Sequence, residues 1–111
     1  MANTRPPIDS PEKVKFVIQR SKKVPARVYP VGAITLGLEG KQLSPFSFMV
    51  KAGCIAFSDD GRCVMDLELM REALKRAKAL NVPLIEHCED EILSCGGVIH
   101  DGAVSKKLKV N

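Results

Sequence analysis

The chain contains no tryptophan and one tyrosine, and aromatic residues make up only 5% of its 111 positions. Platforms on which bases could stack are therefore few, and the net charge of +4 with a pI near 9.0 does not by itself indicate a nucleic-acid partner. The basic residues are dispersed, with clusters only at Arg20 to Lys23 and Lys106 to Lys109, and solvated helix faces account for most of them. No apolar run approaches the roughly 18 residues that a membrane span needs, and the N-terminus is too polar for a secretory signal. No Cys-x-x-Cys pair occurs among Cys54, Cys63, Cys88 and Cys95, and their density is far below that of a disulfide scaffold. The expectation is free thiols, a cytoplasmic location, and neither nucleic acid nor membrane as partner. Histidine is scarce as well, with only His87 and His100. A zinc knot drawn from His87, Cys88, Cys95 and His100 meets a geometric objection, because neighbouring residues on an extended strand point to opposite faces.

What the chain does have is the composition of a globular protein, 45% apolar and 27% charged, at a length that supports one domain over residues 1–111. Ser10-Pro11-Glu12 carries the marks of a helix start, and Val14, Val17 and Ile18 then fall on one face, before Pro25 closes the region. Arg27 to Val31 is a short β-rich run followed by a glycine-containing loop from Gly32 to Leu43. Ser44-Pro45 opens a short helix that Gly53 ends, and Cys54 to Phe57 is a second apolar run. Asp66 caps the clearest helix, Leu67 to Leu80, with Leu67, Met70, Leu74, Ala77 and Leu80 as its expected buried stripe and Asn81 as its stop. Pro83 to Ile85 is a third apolar run. Glu89 and Asp90 are placed to cap the turn that follows rather than to bind metal, and Asp101 to Leu108 forms a last short helix.

The repeat length is informative. Val28 to Ile55 is 27 positions, Ile55 to Ile85 is 30, and Asp60 to His87 is 27, which is the length of one βα unit. Short apolar runs without alternation, separated by helices, argue for an α/β fold with a parallel sheet buried on both faces. Asn3, Asp60 and His87 then fall at or beyond the carboxyl ends of strands, the edge where α/β sheets bind ligands. A carboxylate and an imidazole on adjacent strands suit a zinc-like ion, although two ligands fall short of the usual three. The same residues also fit a plainer role, with Asp59 or Asp60 turning the chain ahead of Gly61 and His87 hydrogen-bonded at a strand end.

Four blocks go further: Met1 to Asp9, Ala56 to Gly61, His87 to Asp90, and Gly96-Gly97-Val98-Ile99 through Gly102-Ala103-Val104-Ser105. In order and spacing they resemble the dihydroorotases, specifically the bacterial type that uses an aspartate where others use a carboxylated lysine. The resemblance implies a partial (β/α) barrel segment of about three βα units from the amidohydrolase superfamily. It implies zinc as cofactor and dihydroorotate or carbamoyl-aspartate as the small-molecule substrate, interconverted by opening and closing a cyclic amide. Asn3 would then hydrogen-bond the substrate carboxylate, Asp60 and His87 would ligate the metal, and Asp59 would orient the turn. The family's His-x-His-x-Arg stands upstream of its Met-Ala-Asn-Thr block, and its further histidine and catalytic aspartate stand downstream of the last block. The expectation is thus a segment with two metal ligands and no proton-transfer residue, inactive alone, that pairs with copies of itself or with complementing chains. Two stretches depart from the family pattern: the apolar Pro45 to Val50 and the basic Lys106 to Lys109.

Overall fold

In the computed structural model, which describes residues 1–110, the chain builds a small parallel sheet with helices packed beside it and a trailing C-terminal stretch. Helix α1 spans Pro11–Ser21; Pro11 takes the first turn, where its missing N–H costs nothing, and Val14 is the residue that it buries fully. Strand β1 is Val31–Gly32, helix α2 is Phe46–Lys51 and strand β2 is Ala56–Phe57. Helix α3 covers Leu67–Ala79, α4 Glu91–Ser94 and α5 Ala103–Leu108. The long loop after β1 contains a 3-10 turn at Leu36–Leu38 and closes through an antiparallel bridge between Thr35 and Leu43.

Strands β1 and β2 are parallel, with Val31 opposite Ala56 and Gly32 opposite Phe57. The third apolar run joins as a single parallel bridge, Phe57 to Leu84, made by Phe57 N–H to Pro83 O at 3.1 Å and Ile85 N–H to Phe57 O at 2.8 Å. The expected α/β class with parallel pairing is therefore present, in a sheet much shorter than the apolar runs. Val28 and Tyr29, read as strand residues, are exposed and lie before β1. Among the described residues nothing covers their side chains.

The core lies where α1, α2 and α3 meet the sheet. It contains Ile8, Val14, Ile34, Phe46, Met49, Cys54, Phe57, Val64, Ala73 and Ala77. Phe46 of α2 and Phe57 of β2 stack with ring centres 3.8 Å apart and planes 6° from parallel, which locks helix to strand. Gly53 ends α2 with φ of 106°, and a Cβ there would stand 2.4 Å from Ile18 Cδ1. Glycine at this position satisfies both the backbone conformation and the close approach of α1.

Helix α3 is capped as its sequence predicts: Asp66 accepts from Glu68 N–H and Leu69 N–H, and Asn81 turns the chain out at φ 53°. Its buried face differs from the expected stripe. Leu69, Met70, Ala73, Ala77 and Leu80 meet the core, while Leu67 is 77% and Leu74 53% exposed. The expected face holds at Met70, Ala77 and Leu80, whereas Leu67 and Leu74 lie about 130° round the helix from Leu69, Ala73 and Leu80 and turn to solvent. The face bearing Ala73 and Ala77 packs inward, because small side chains let the backbone come close to the sheet.

Beyond Glu86 no hydrophobic side chain is buried among the described residues. The radius of gyration is 16.7 Å, against about 13 Å for a compact domain of this length, so the trailing stretch extends away from the core. Among the described residues no helix is long and apolar enough to cross a membrane.

Candidate functional site

The site candidates follow from the sheet register. Phe57 and Leu84 are paired, and three residues beyond each stand Asp60 and His87. The two therefore occupy matching positions past the carboxyl ends of neighbouring parallel segments. Between Phe57 and Asp60 the chain is held by Asp59. Its carboxylate is buried and accepts from Ile34 N–H at 2.8 Å, Thr35 N–H at 3.0 Å and the Thr35 hydroxyl. Three donors on one carboxylate pin the loop after β1 to the end of β2, and they occupy Asp59 fully. The Thr35 hydroxyl in turn accepts from Gly40 N–H at 3.0 Å, which extends the network along that loop.

Asp60 stands in a different setting. It is half-buried, its backbone is left-handed at φ 59°, and its N–H donates to Ser58 Oγ at 3.0 Å. Aspartate tolerates this conformation better than most residues. No hydrogen bond to its carboxylate is found among the described residues. Of the two adjacent aspartates, Asp59 is consumed by the fold and Asp60 is free to bind.

His87 is 45% exposed and its Nε2 lies 2.9 Å from Glu89 Oε2. His87 first, then Ser94, hold the Glu89 carboxyl below its ordinary range. Of the two residues expected to cap α4, Asp90 does so by accepting from Ile92 and Leu93 N–H, while Glu89 is taken up by His87. Asn3 is exposed and lies in a stretch without strand structure; its neighbour Ala2 is buried and accepts from Ile8 N–H at 3.0 Å. No hydrogen bond joins Asn3, Asp60 and His87 to one another among the described residues.

Two carboxylates that sequence reasoning did not single out organise the surroundings. Glu86 reaches from the third apolar run to accept Val64 N–H at 3.0 Å, so it ties the segment carrying His87 to the loop that follows Asp60. Nothing in the sequence marks it beyond a charge interrupting an apolar run. Asp9 is buried and accepts from the Lys13 ammonium and from Gly37 N–H at 2.9 Å. Burial, its largest single influence, pushes the Asp9 carboxyl up, but Lys13 and the Gly37 amide outweigh it and hold the group below its ordinary value. The Asp9 to Lys13 spacing, one helical turn, was the visible signal.

Zinc chemistry calls for a carboxylate oxygen and an imidazole nitrogen among its donors, and Asp60 and His87 are of those types. Their number does not complete a shell. Among the described residues no group of three or more His, Cys, Asp or Glu is placed to hold an ion, so the knot from His87, Cys88, Cys95 and His100 is not formed. The donor pair fits part of a metal site.

Short parallel strands with helices beside them define an α/β chain, which carries a carboxylate and an imidazole past matching strand ends. The model of the family described as dihydro-orotase-like matches residues 1–110. The chain is 49% identical over 109 residues to a dihydroorotase of Aquifex aeolicus, covering 97% of this chain and 26% of that protein. It is 48% identical over 106 residues to a dihydroorotase of Caldicellulosiruptor saccharolyticus, with 95% and 25% covered. A dihydroorotase of Pelotomaculum thermopropionicum is 46% identical over 108 residues, with 97% and 25% covered. The chain belongs to the dihydro-orotase-like family. It spans about a quarter of the length of these curated relatives.

Proposed function

We propose that this chain is a single-domain segment, of about three βα units, from an amidohydrolase-type (β/α) barrel that opens and closes the cyclic amide of dihydroorotate in pyrimidine biosynthesis. Asp60 and His87 are two of its zinc ligands, and Asn3 contributes a hydrogen bond to the substrate carboxylate. The observation that carries this reading is the matched placement of Asp60 and His87 beyond the paired residues Phe57 and Leu84. Asp59 supports it by taking up the loop's amide donors itself, leaving the Asp60 carboxylate open. Zinc, when bound, supplies Lewis-acid polarisation of the amide carbonyl. Glu89, hydrogen-bonded to His87 Nε2, fixes the orientation of the imidazole, as carboxylates beside metal-ligating histidines do. Four free cysteines agree with a cytoplasmic setting.

With two donors the chain holds zinc weakly and turns over no dihydroorotate by itself. Purified chain assayed for dihydroorotate hydrolysis tests this; turnover abolished by His87→Ala would overturn the inactivity while confirming the site. A second reading has a specific observation behind it: Leu67, Ile92, Leu93 and Val98 are all more than three-quarters exposed. Such surface favours association with a second copy or a complementing chain. Sedimentation at micromolar concentration is expected to show oligomers, and a clean monomer counts against it.

A further inference from the structure

Two exposed faces of the chain complement each other. The first is a groove of about 440 Å³ between α2 and α3, with Phe48, Ala79 and Leu80 as an apolar floor and Arg76 at its edge. Phe48 lies about 200° round α2 from the buried Phe46 and is 62% exposed, so the helix turns one phenyl ring to the core and one away from it. It belongs to the apolar stretch, Pro45 to Val50, that departs from the family pattern. Extension of the sheet does not cover this groove. In the order β1, β2 and the Leu84 run, new strands join beyond β1 or beyond Leu84, whereas α2 precedes β2 and α3 follows it.

The rim of the groove is cationic. Lys51 Nζ stands 5.9 Å from the centre of the Phe48 ring, and Lys75 is exposed one turn before Ala79. Neither lysine has an ion-pair partner among the described residues, and the nearby Glu72 carboxylate is held by Arg76 Nε at 2.9 Å. The second face has the opposite character. On α4, Ile92 is 79% and Leu93 82% exposed, and Glu91 beside them has no ion-pair partner among the described residues. Glu89 and Asp90 precede them, so bare aliphatic side chains stand next to negative charge.

We propose that α4 of one copy of the chain docks in the α2–α3 groove of a second copy, Ile92 and Leu93 covering Phe48, Ala79 and Leu80 while Glu91 meets Lys51. This rests on the self-association read above from exposed apolar surface, and it names the two patches that meet. Burial of aliphatic and aromatic surface drives the contact, and opposite charge at its rim fixes the register and speeds encounter. The two patches differ, so the contact is heterologous and runs on into longer assemblies unless two copies close on each other reciprocally. It needs no metal.

Sedimentation velocity of the purified full chain at micromolar concentration, with EDTA present to keep metal out, tests this. Lys51→Glu and Glu91→Lys each set like charges across the contact, and each alone is expected to weaken association about tenfold or more. Mixed in equal amounts, the two variants are expected to recover it, because the reversed rim of one then faces the reversed tip of the other. Phe48→Ala and Leu93→Ala are expected to weaken association without any change of charge, and Leu67→Ala, exposed but outside both patches, to leave it unchanged. If circular dichroism shows that Lys51→Glu has lost its fold, Phe48→Ala and Leu93→Ala still read the two patches. Oligomers that persist equally in every variant, or charge-reversed variants that stay apart when mixed, would overturn this pairing and leave self-association standing. A monomeric wild type would overturn both.

Discussion

Residues 2 to 84 and residues 88 to 110 differ in what holds them. In the first stretch, side chains distant in sequence bury one another, as Phe46 and Phe57 do. In the second, only Ser105 is buried, and the helices α4 and α5, of four and six residues, rest on local bonds. Asp90 caps α4, while the Ser105 hydroxyl accepts Gly102 N–H at 2.8 Å and returns a bond to Gly102 O at 2.9 Å. Isolated helices shorter than about 12 residues are marginal in water. The two halves of the candidate site therefore have unequal support. Asp60 grows from the packed part, and His87 stands where the packing ends.

A pair of large-to-small substitutions is expected to separate the two stretches most sharply. Phe57→Ala empties a fully buried site and is expected to cost about 3 to 5 kcal/mol in denaturant unfolding. Leu93→Ala, at 82% exposure, is expected to change stability by less than about 0.5 kcal/mol. Equal effects would mean that the trailing stretch is packed after all. Next come the two acceptor carboxylates. Asp59→Ala strands the buried N–H groups of Ile34 and Thr35 and is expected to cost about 3 kcal/mol, whereas Asp90→Ala is expected to speed amide exchange in α4 without moving the main unfolding transition. Asp66→Ala removes the cap of α3 and is expected to cost about 1 kcal/mol.

The smallest effect is the pH dependence of Asp9. Its folded carboxyl titrates below the ordinary 3.8, so its contribution is complete above that value and is lost as pH falls through the lower folded one. Acid titration of wild type against Asp9→Asn, followed by circular dichroism, is expected to show the difference between them shrinking below that value. A difference that grows on acidification would reverse the sign assigned to Lys13 and Gly37.

Local signals were legible in the sequence because they act over a few residues. The caps Asp66 and Asp90, the stops Asn81 and Gly53, and the spans of α1, α2 and α5 all read from neighbouring side chains. The spacing of one βα unit likewise brought Asp60 and His87 to matching positions. What periodicity could not show was that α3 turns Leu67 and Leu74 to solvent, since they are as apolar as Leu69 and Leu80. Nor could it give strand length. Cys54 to Phe57 is apolar throughout, yet only Ala56 and Phe57 pair, because pairing depends on partners distant in the chain. Glu86 was hidden for the same reason, its role fixed by Val64 on another loop.

The central claim, that Asp60 and His87 form one partial metal site, is tested most directly by zinc titration of the purified chain against a competing chromogenic chelator, with Asp60→Ala and His87→Ala measured alongside. The account predicts weak binding that dialysis strips to less than a full complement, and a loss of about tenfold or more in affinity for either variant. Tight zinc that survives both substitutions, or no zinc in any of the three proteins, would contradict it.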